Sequence, residues 1–292
     1  MPRAQQAAEK EKPEATSLLG KPLFRPPVPE ANRAKMEADA KAAFDLAARE
    51  PSAENIIWLG RRTAYLGKFR EAIDVFTGGM RLYPTDPRLY RHRGHRYITV
   101  RNFLRAQEDL ERAVELIKGQ PDEVEPDGQP NARGVPTSTL HSNIWYHLAL
   151  ARYLKADFAA AADDWRRARD AGKTPDNLVA ASHWLYLSLR RANRASDAKA
   201  VLEPIRADLD VIENGSYHAL LLMYKGERTP AQVLSAAGEG AGGSAVRYGV
   251  SAWHLVEGRR DDARKLWDQI LAGPDWPSFG FVAAEAEVQR AG

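Results

Sequence analysis

Residues 51–84 read PSAENIIWLGRRTAYLGKFREAIDVFTGGMRLYP, and this stretch decides the fold. Ile56, Leu59 and Ala64 recur at three- and five-residue steps on one face, with Arg61 and Arg62 on the other. That spacing predicts an amphipathic helix. Gly67 interrupts it, and a second helix carries Phe69, Ala72, Ile73, Phe76 and Met80. Pro84 ends the second helix, because proline cannot continue a helix and restricts the residue before it. Gly60 and Ala72 are small where two antiparallel helices must approach, and Phe69 and Phe76 fill the space beside them. The stretch reads as one helical hairpin.

Thirty-four residues further on the pattern returns: Tyr90, Gly94, Phe103, Ala106 and Leu110 stand where Ile56, Gly60, Phe69, Ala72 and Phe76 stood. With Gly60, Gly67, Phe69, Ala72, Phe76 and Pro84 in these places, the chain resembles the tetratricopeptide repeat family, a helix–turn–helix unit of that period. A third copy carries Trp145, Leu148, Ala149, Phe158, Ala161, Trp165 and Ala168. A fourth is weaker (Leu185, Leu189, Ala198, Leu202, Ile205), and a fifth keeps Gly226 and Ala231 behind the capping box begun by Thr229 and closed by Gln232. The sixth has Gly258, Ala263, Trp267 and Ile270 and stops at Pro274.

The expected fold is therefore all-α, a right-handed α-solenoid of antiparallel helical hairpins. Five to six repeats lie near 51–84, 86–118, 142–174, 176–208, 212–240 and 244–274, within a solenoid spanning 29–292. The ends of a solenoid expose apolar faces that inner repeats cover for one another, so caps are required. Glu30 to Glu50, with Ala40, Phe44 and Ala47 spaced like Ala72, Phe76 and Gly79, is the expected N-terminal cap. A closing helix over 276–291 is the expected C-terminal cap. Residues 1–28, polar and then proline-rich, are expected to be a disordered tail and extended linker.

Composition narrows the function classes. The chain has 292 residues, 28% charged, with a formal net charge of +3 and no cysteine, which excludes disulfides and thiolate metal sites. Its longest apolar candidate, His218 to Tyr224, falls far short of the ~20 residues of a membrane span, so a soluble chain is expected. The start, MPRAQQAAEKEK, lacks the apolar core of a secretory signal. A chain whose signal had been removed would begin in the same way, and a bacterial exported or periplasmic protein is expected over a cytoplasmic one.

The period breaks at an insertion, residues 119–141, too long and proline-rich for an inter-repeat turn; loops of this length are functional or disordered. Its Glu123-x-Glu125-x-Asp127-Gly128 resembles the start of a calcium loop, but Gly134 stands where the closing glutamate belongs. Gly238-x-Gly240-x-x-Gly243 matches the dinucleotide fingerprint by letter. It follows a helix rather than a strand, so it reads as a flexible inter-repeat turn.

The resemblance implies that the first helix of each hairpin lines a concave face where ligands lie. Carried over by position, that face presents Arg61 and Tyr65, then Arg88, Arg91 and His95, then Asn143, Tyr146 and His147, and last His183, Arg190 and Arg191. The set is basic and aromatic, which suits a partner bearing acidic or carboxylate groups. The first functional reading is a protein- or peptide-binding scaffold that uses this groove, with no cofactor and no metal. It departs from the carboxylate-clamp subtype, since Ile57 and His92 stand where that subtype carries lysine and asparagine.

A second reading is a small anionic ligand, or an enzymatic site, where the insertion folds over His95, Tyr146 and His147. An ordered loop closing a polar pocket favours it, whereas a mobile loop beside an open channel favours a peptide. The third is anion or RNA binding, from six arginines and two histidines between Arg88 and Gln107; DNA is not expected. Arg93 occupies a normally apolar place and must reach water or a carboxylate. His92 and His95, with His147 from the next hairpin, lack a known metal spacing and read as packing or surface residues. No Ser/His/Asp order or P-loop lysine is present, and no catalytic residue is assigned.

Overall fold

The computed structural model describes residues 12–291. Six antiparallel helical hairpins stack in chain order. They are α2 (Ala53–Tyr65) with α3 (Phe69–Leu82), α4 (Pro87–Thr99) with α5 (Phe103–Leu116), and α6 (Leu140–Leu154) with α7 (Phe158–Ala171). Then come α8 (Pro175–Arg191) with α9 (Ala195–Val201), α10 (Gly215–Tyr224) with α11 (Pro230–Ser235), and α12 (Gly240–Val256) with α13 (Arg260–Leu271). A helix α1 (Glu30–Arg49) precedes them and α14 (Phe279–Ala291) follows. The molecule is an all-α helical-repeat solenoid; the one sheet among the described residues is a two-stranded hairpin, β1 (Ala15–Thr16) against β2 (Pro22–Leu23).

The hairpins close as their residues dictate. At Gly60 an added Cβ would run into the Phe76 ring, and at Gly94 it would lie 2.7 Å from Leu110, so neither crossing has room for a side chain. Ala72, Phe76, Ala106 and Leu110 are buried, Phe69 is 4% exposed, and Phe103 packs half-buried on the same core. Two residues past each first helix the backbone turns left-handed, at Gly67, Arg101, Ala156, Asn193, Gly226 and Gly258. A non-glycine side chain there costs about 1–2 kcal/mol, which Arg101 and Ala156 bear. Ser52, Asp86, Thr139, Thr174 and Thr229 each accept a backbone N–H at the start of a first or second helix, the usual service of an N-cap. Arg93 finds a carboxylate, paired at two points with Asp109 (both 2.7 Å).

Four features differ from the sequence reading. Residues 12–28 are not a linker. The β1–β2 hairpin tucks Ala15 into the core, the Glu14 carboxylate accepts the Arg70 backbone N–H (3.0 Å), and Trp276 donates its indole N–H to the Phe24 carbonyl (2.8 Å). The tail reading of residues 1–11 falls outside the described residues. Secondly, α1 caps loosely: of its residues only Ala47 is buried, and Phe44, placed by analogy with Phe76, is 59% exposed. A crevice of about 630 Å3 separates α1 from α2 and the 25–28 segment. Thirdly, Gly240 and Gly243 of the fingerprint-like stretch lie in the first turn of α12, not in an inter-repeat turn.

The fourth difference matters most. The closing helix is not an end cap with a polar outer face. Eight consecutive residues of α14, Gly280 to Glu287, are buried. A run of eight covers every side of a helix with 3.6 residues per turn, so α14 is surrounded. It packs on α12, α13 and α6, and approaches α12 so closely that a Cβ on Gly280 would lie 2.5 Å from the Ser244 carbonyl oxygen. Its Phe279 ring meets His95 of α4 and Tyr146 and His147 of α6. The face built by the first helices is occupied, from α6 onward, by the chain's own last helix.

Candidate functional site

What α14 leaves open is a cavity of about 140 Å3 at the N-terminal hairpins. Helix α2 contributes Arg61 and Tyr65, one turn apart on the same side. Helix α4 contributes Arg91, His92, His95 and Arg96. These four sit at i, i+1, i+4 and i+5, a spacing that gathers them on one helical face.

The 119–139 segment forms the lid. Val124 bridges Thr139, Glu125 N–H donates to the Ser138 carbonyl (3.2 Å), and Leu140 N–H to the Glu123 carbonyl (2.9 Å). Arg61 reaches the Pro126 carbonyl (2.8 Å) and Arg62 the Gly128 carbonyl (3.0 Å), pinning the lid to α2. At its far side Asn131 and Thr137 bind Glu213, and Thr174 donates to the Thr137 carbonyl (2.7 Å). The lid is a tied strap, and it lowers one acid, Glu125, into the cavity with a side chain only 10% exposed.

The electrostatics are one-sided. Arg91, 7% exposed, pairs with Glu125 through Nη2 (3.0 Å) and donates Nη1–H to His92 Nδ1 (2.9 Å), yet its Nε is buried without a partner. Arg96 has no hydrogen-bond or ion-pair partner among the described residues; its guanidinium lies over the Phe69 ring at 5.7 Å. Burial, opposed by Tyr65 and reinforced by Arg91 and Arg61, pulls Arg96 down to about 10. Burial likewise lowers Arg91, with Glu125 opposing. Burial first, and the neighbouring arginines after it, hold His92 and His95 well below the ordinary histidine range, so both imidazoles are neutral at pH 7. Three guanidinium groups thus face one carboxylate. An isolated cation in a low-dielectric site is costly, and an incoming anion would relieve it.

The structure sorts the expected groove residues. Arg61, Tyr65, Arg91 and His95 line the cavity, and Asn143 holds its lid by donating to Glu125 (3.0 Å) and Ser138 (2.9 Å). Arg88 lies apart, bound to Asp86 and Glu54 (2.7 Å each). Tyr146 is packed edge-on against Trp165, 4.6 Å between ring centres. His147 is 4% exposed, donates Nδ1–H to the Asn143 carbonyl (2.6 Å) and lies tilted against the His95 ring, 4.3 Å between ring centres. His183 is wholly buried between Tyr217 and Tyr224 and pushed by that burial down to about 3, a core residue rather than a groove residue. Arg190 binds Tyr186 and Glu257 at the opposite end, and Arg191 joins Glu287 of α14.

Sequence reasoning missed Arg96 and Glu125 as site residues and set His92 aside as packing. The i, i+1, i+4, i+5 pattern on α4 could have found Arg96 and His92; nothing local to the lid marks Glu125. No group of three or more His, Asp or Glu side chains among the described residues is arranged to hold a metal ion. No helix there is long and apolar enough to cross a membrane.

No family model matches the chain. A 56-residue stretch is 41% identical to the human tetratricopeptide repeat protein 13; the match covers 19% of this chain and only 6% of that protein's length. Among solved structures the chain is similar to YrrB, a TPR protein with an unusual peptide-binding site, at TM-score 0.45 and 13% identity over 85% of this chain and 99% of that one. It is also similar to BtubC from P. vanneervenii, at TM-score 0.46 and 16% identity over 90% and 91%. The repeated hairpin, its small-residue crossings and its left-handed turns make the chain an all-α helical-repeat solenoid, similar over these stretches to tetratricopeptide repeat proteins.

Proposed function

We propose that this protein is a protein-interaction scaffold whose N-terminal hairpins hold an acidic group of the partner in the cavity between α2, α4 and the 119–139 lid. The observation that carries the reading is the unbalanced charge there: Arg61, Arg91 and Arg96 against Glu125, with Arg91 Nε buried and unpaired. The other half of the inner face supports it by analogy. There α14 presents Glu285 and Glu287, 1% and 3% exposed, to Arg101 and Arg191, so this scaffold already receives acids from a helical segment on arginines of its turns and helix ends. With α14 in place, an extended peptide running the length of the groove is not accommodated, and the partner engages the N-terminal end.

The test is an array of acidic and neutral peptides probed with the full chain and with Arg91→Gln. Acidic peptides should bind, weaken as salt rises, and lose binding in the variant. Equal retention of neutral peptides, or acidic binding untouched by Arg91→Gln, would overturn the proposal. The second sequence reading, a free small anion as ligand, draws on the ordered lid and is separated by whether the anion alone saturates the site.

A further inference from the structure

We infer that the acidic group this cavity is built for is a phosphomonoester dianion, carried on a phosphorylated side chain of the protein partner. The inference rests on the acidic-clamp reading above and names its chemistry. Three arginine cations less one glutamate anion leave two positive charges unmatched around the cavity. The histidines add none, being neutral. A carboxylate would cancel one of the two charges; a phosphomonoester at pH 7 carries about −1.5 to −2 and cancels both.

The donors also suit a group with several equivalent oxygens. Arg91 offers the unpartnered Nε–H, and Arg96 offers a whole guanidinium fork. The Tyr65 hydroxyl accepts from Arg61 Nε (3.4 Å), leaving its own proton for an acceptor. Forked guanidinium donors recognise phosphate oxygens by paired hydrogen bonds. The size agrees. About 140 Å3 is the room of four or five waters at ~30 Å3 each, enough for a phosphate and the stem it hangs from. It is well below the ~300–1,000 Å3 of a site that encloses a drug-sized molecule. Such a cavity takes the tip of a larger partner.

Arg96 is the residue that tells a built site from a structural one. It forms no ion pair among the described residues and is repelled by Arg91 and Arg61, so removing its charge should not weaken the fold. The experiment is calorimetric titration of the full chain with one peptide in three forms, bearing phosphoserine, glutamate or serine at the central position, and with inorganic phosphate, repeated on Arg96→Gln. The phosphoserine form should bind about tenfold or more tighter than the glutamate form. Arg96→Gln should lose about tenfold in phosphopeptide affinity while its Tm in phosphate-free buffer is unchanged or higher.

Equal binding of the glutamate and phosphoserine forms would overturn the phosphate inference and leave the acidic clamp standing. Binding of none of the probes would overturn both. Inorganic phosphate binding through Arg96 while every peptide fails would keep the dianion chemistry and overturn the protein partner. A fall in Arg96→Gln stability comparable to the loss of a buried ion pair would show that Arg96 serves the fold, and would overturn the inference.

Discussion

Around α2 and α4 the inner face looks into a cavity; from α6 onward it looks at α14. Arg61, Arg91 and Arg96 come from within α2 and α4, and Arg101 and Arg191 from the ends of α4 and α8, yet only those that face α14 each meet a carboxylate. In the filled half, Arg101 meets Glu285 at 2.9 Å and also donates to the Thr99 and Trp276 carbonyls, while Glu287 accepts from Arg191 and Arg290. In the open half, Arg96 meets no acid and Arg91 keeps a buried N–H unused. The same kind of face is a completed interface in one half and an incomplete one in the other. Charge that the chain neutralises internally serves stability, and charge that it leaves unneutralised is available to a partner.

The sharpest way to break that comparison is to remove one arginine from each half. Arg101→Ala leaves Glu285 buried at 1% exposure with one donor left, the Leu18 backbone N–H at 3.3 Å, and should cost about 3–5 kcal/mol in denaturant unfolding. Arg96→Met should cost nothing measurable in the same assay. Comparable losses from the two variants would mean that the halves do not differ in the way described. Arg101 also holds a left-handed backbone at φ +67°, a strain kept because no glycine could reach Glu285.

The all-α hairpins and their close crossings were legible in the sequence because each rests on local pattern: Gly60 beside Phe76, Asp86 before Pro87, Thr229 with Gln232. Of the candidate cavity, only part of the lining was legible. Arg61, Tyr65, Arg91 and His95 follow from family position, but Arg88, Tyr146, His183 and Arg190 share that position and are engaged elsewhere. Asp86 and Glu54 take Arg88, Tyr217 and Tyr224 enclose His183, and Tyr186 and Glu257 take Arg190, while Tyr146 faces α14, whose seat is set by contacts 130 residues and more away in sequence: Arg290 with the Leu154 carbonyl, Glu285 with Arg101. A clue existed in FGFVAAEAEV, apolar or small on nearly every side, which no exposed cap can be. From position alone, Tyr146→Ala should leave stability untouched. Packed on Trp165 and facing Phe279, Tyr146 should instead cost about 2 kcal/mol or more when truncated, read by the same unfolding curves.

Acid separates the halves next. His183 in the filled half is driven to about 3 by burial alone, with its Nε2 unpartnered. Its folded pKa lies below its unfolded value of ~6.5, so the unfolded state takes up a proton first as pH falls. Stability contributed by neutral His183 is complete above pH ~6.5 and is lost on descending toward pH 3, at about 1.4 kcal/mol per pH unit for the one proton. His183→Phe should therefore flatten the acid limb by about one proton, seen as a lower midpoint in acid unfolding. In the open half the same titration reads function: His92 and His95 are held neutral, so phosphopeptide affinity should rise from pH 5 to 7 with the phosphate's second ionisation near ~6. An affinity that rose on acidification would assign the binding charge to the histidines instead.

The smallest effect sharpens the reading of Arg101. Ala156 occupies the same left-handed turn position one repeat later, at φ +66°, and its methyl group makes no ion pair to justify the strain. Replacing it with glycine removes a backbone penalty of about 1–2 kcal/mol and gives back about 0.4–1 kcal/mol of unfolded-chain entropy. Ala156→Gly should thus be neutral to stabilising by about 1 kcal/mol, whereas Arg101→Gly, with the same backbone relief, should remain strongly destabilising. If both glycine variants gained stability, the Arg101–Glu285 pair would be worth less than the strain it holds, and α14 would owe its seat to apolar packing alone.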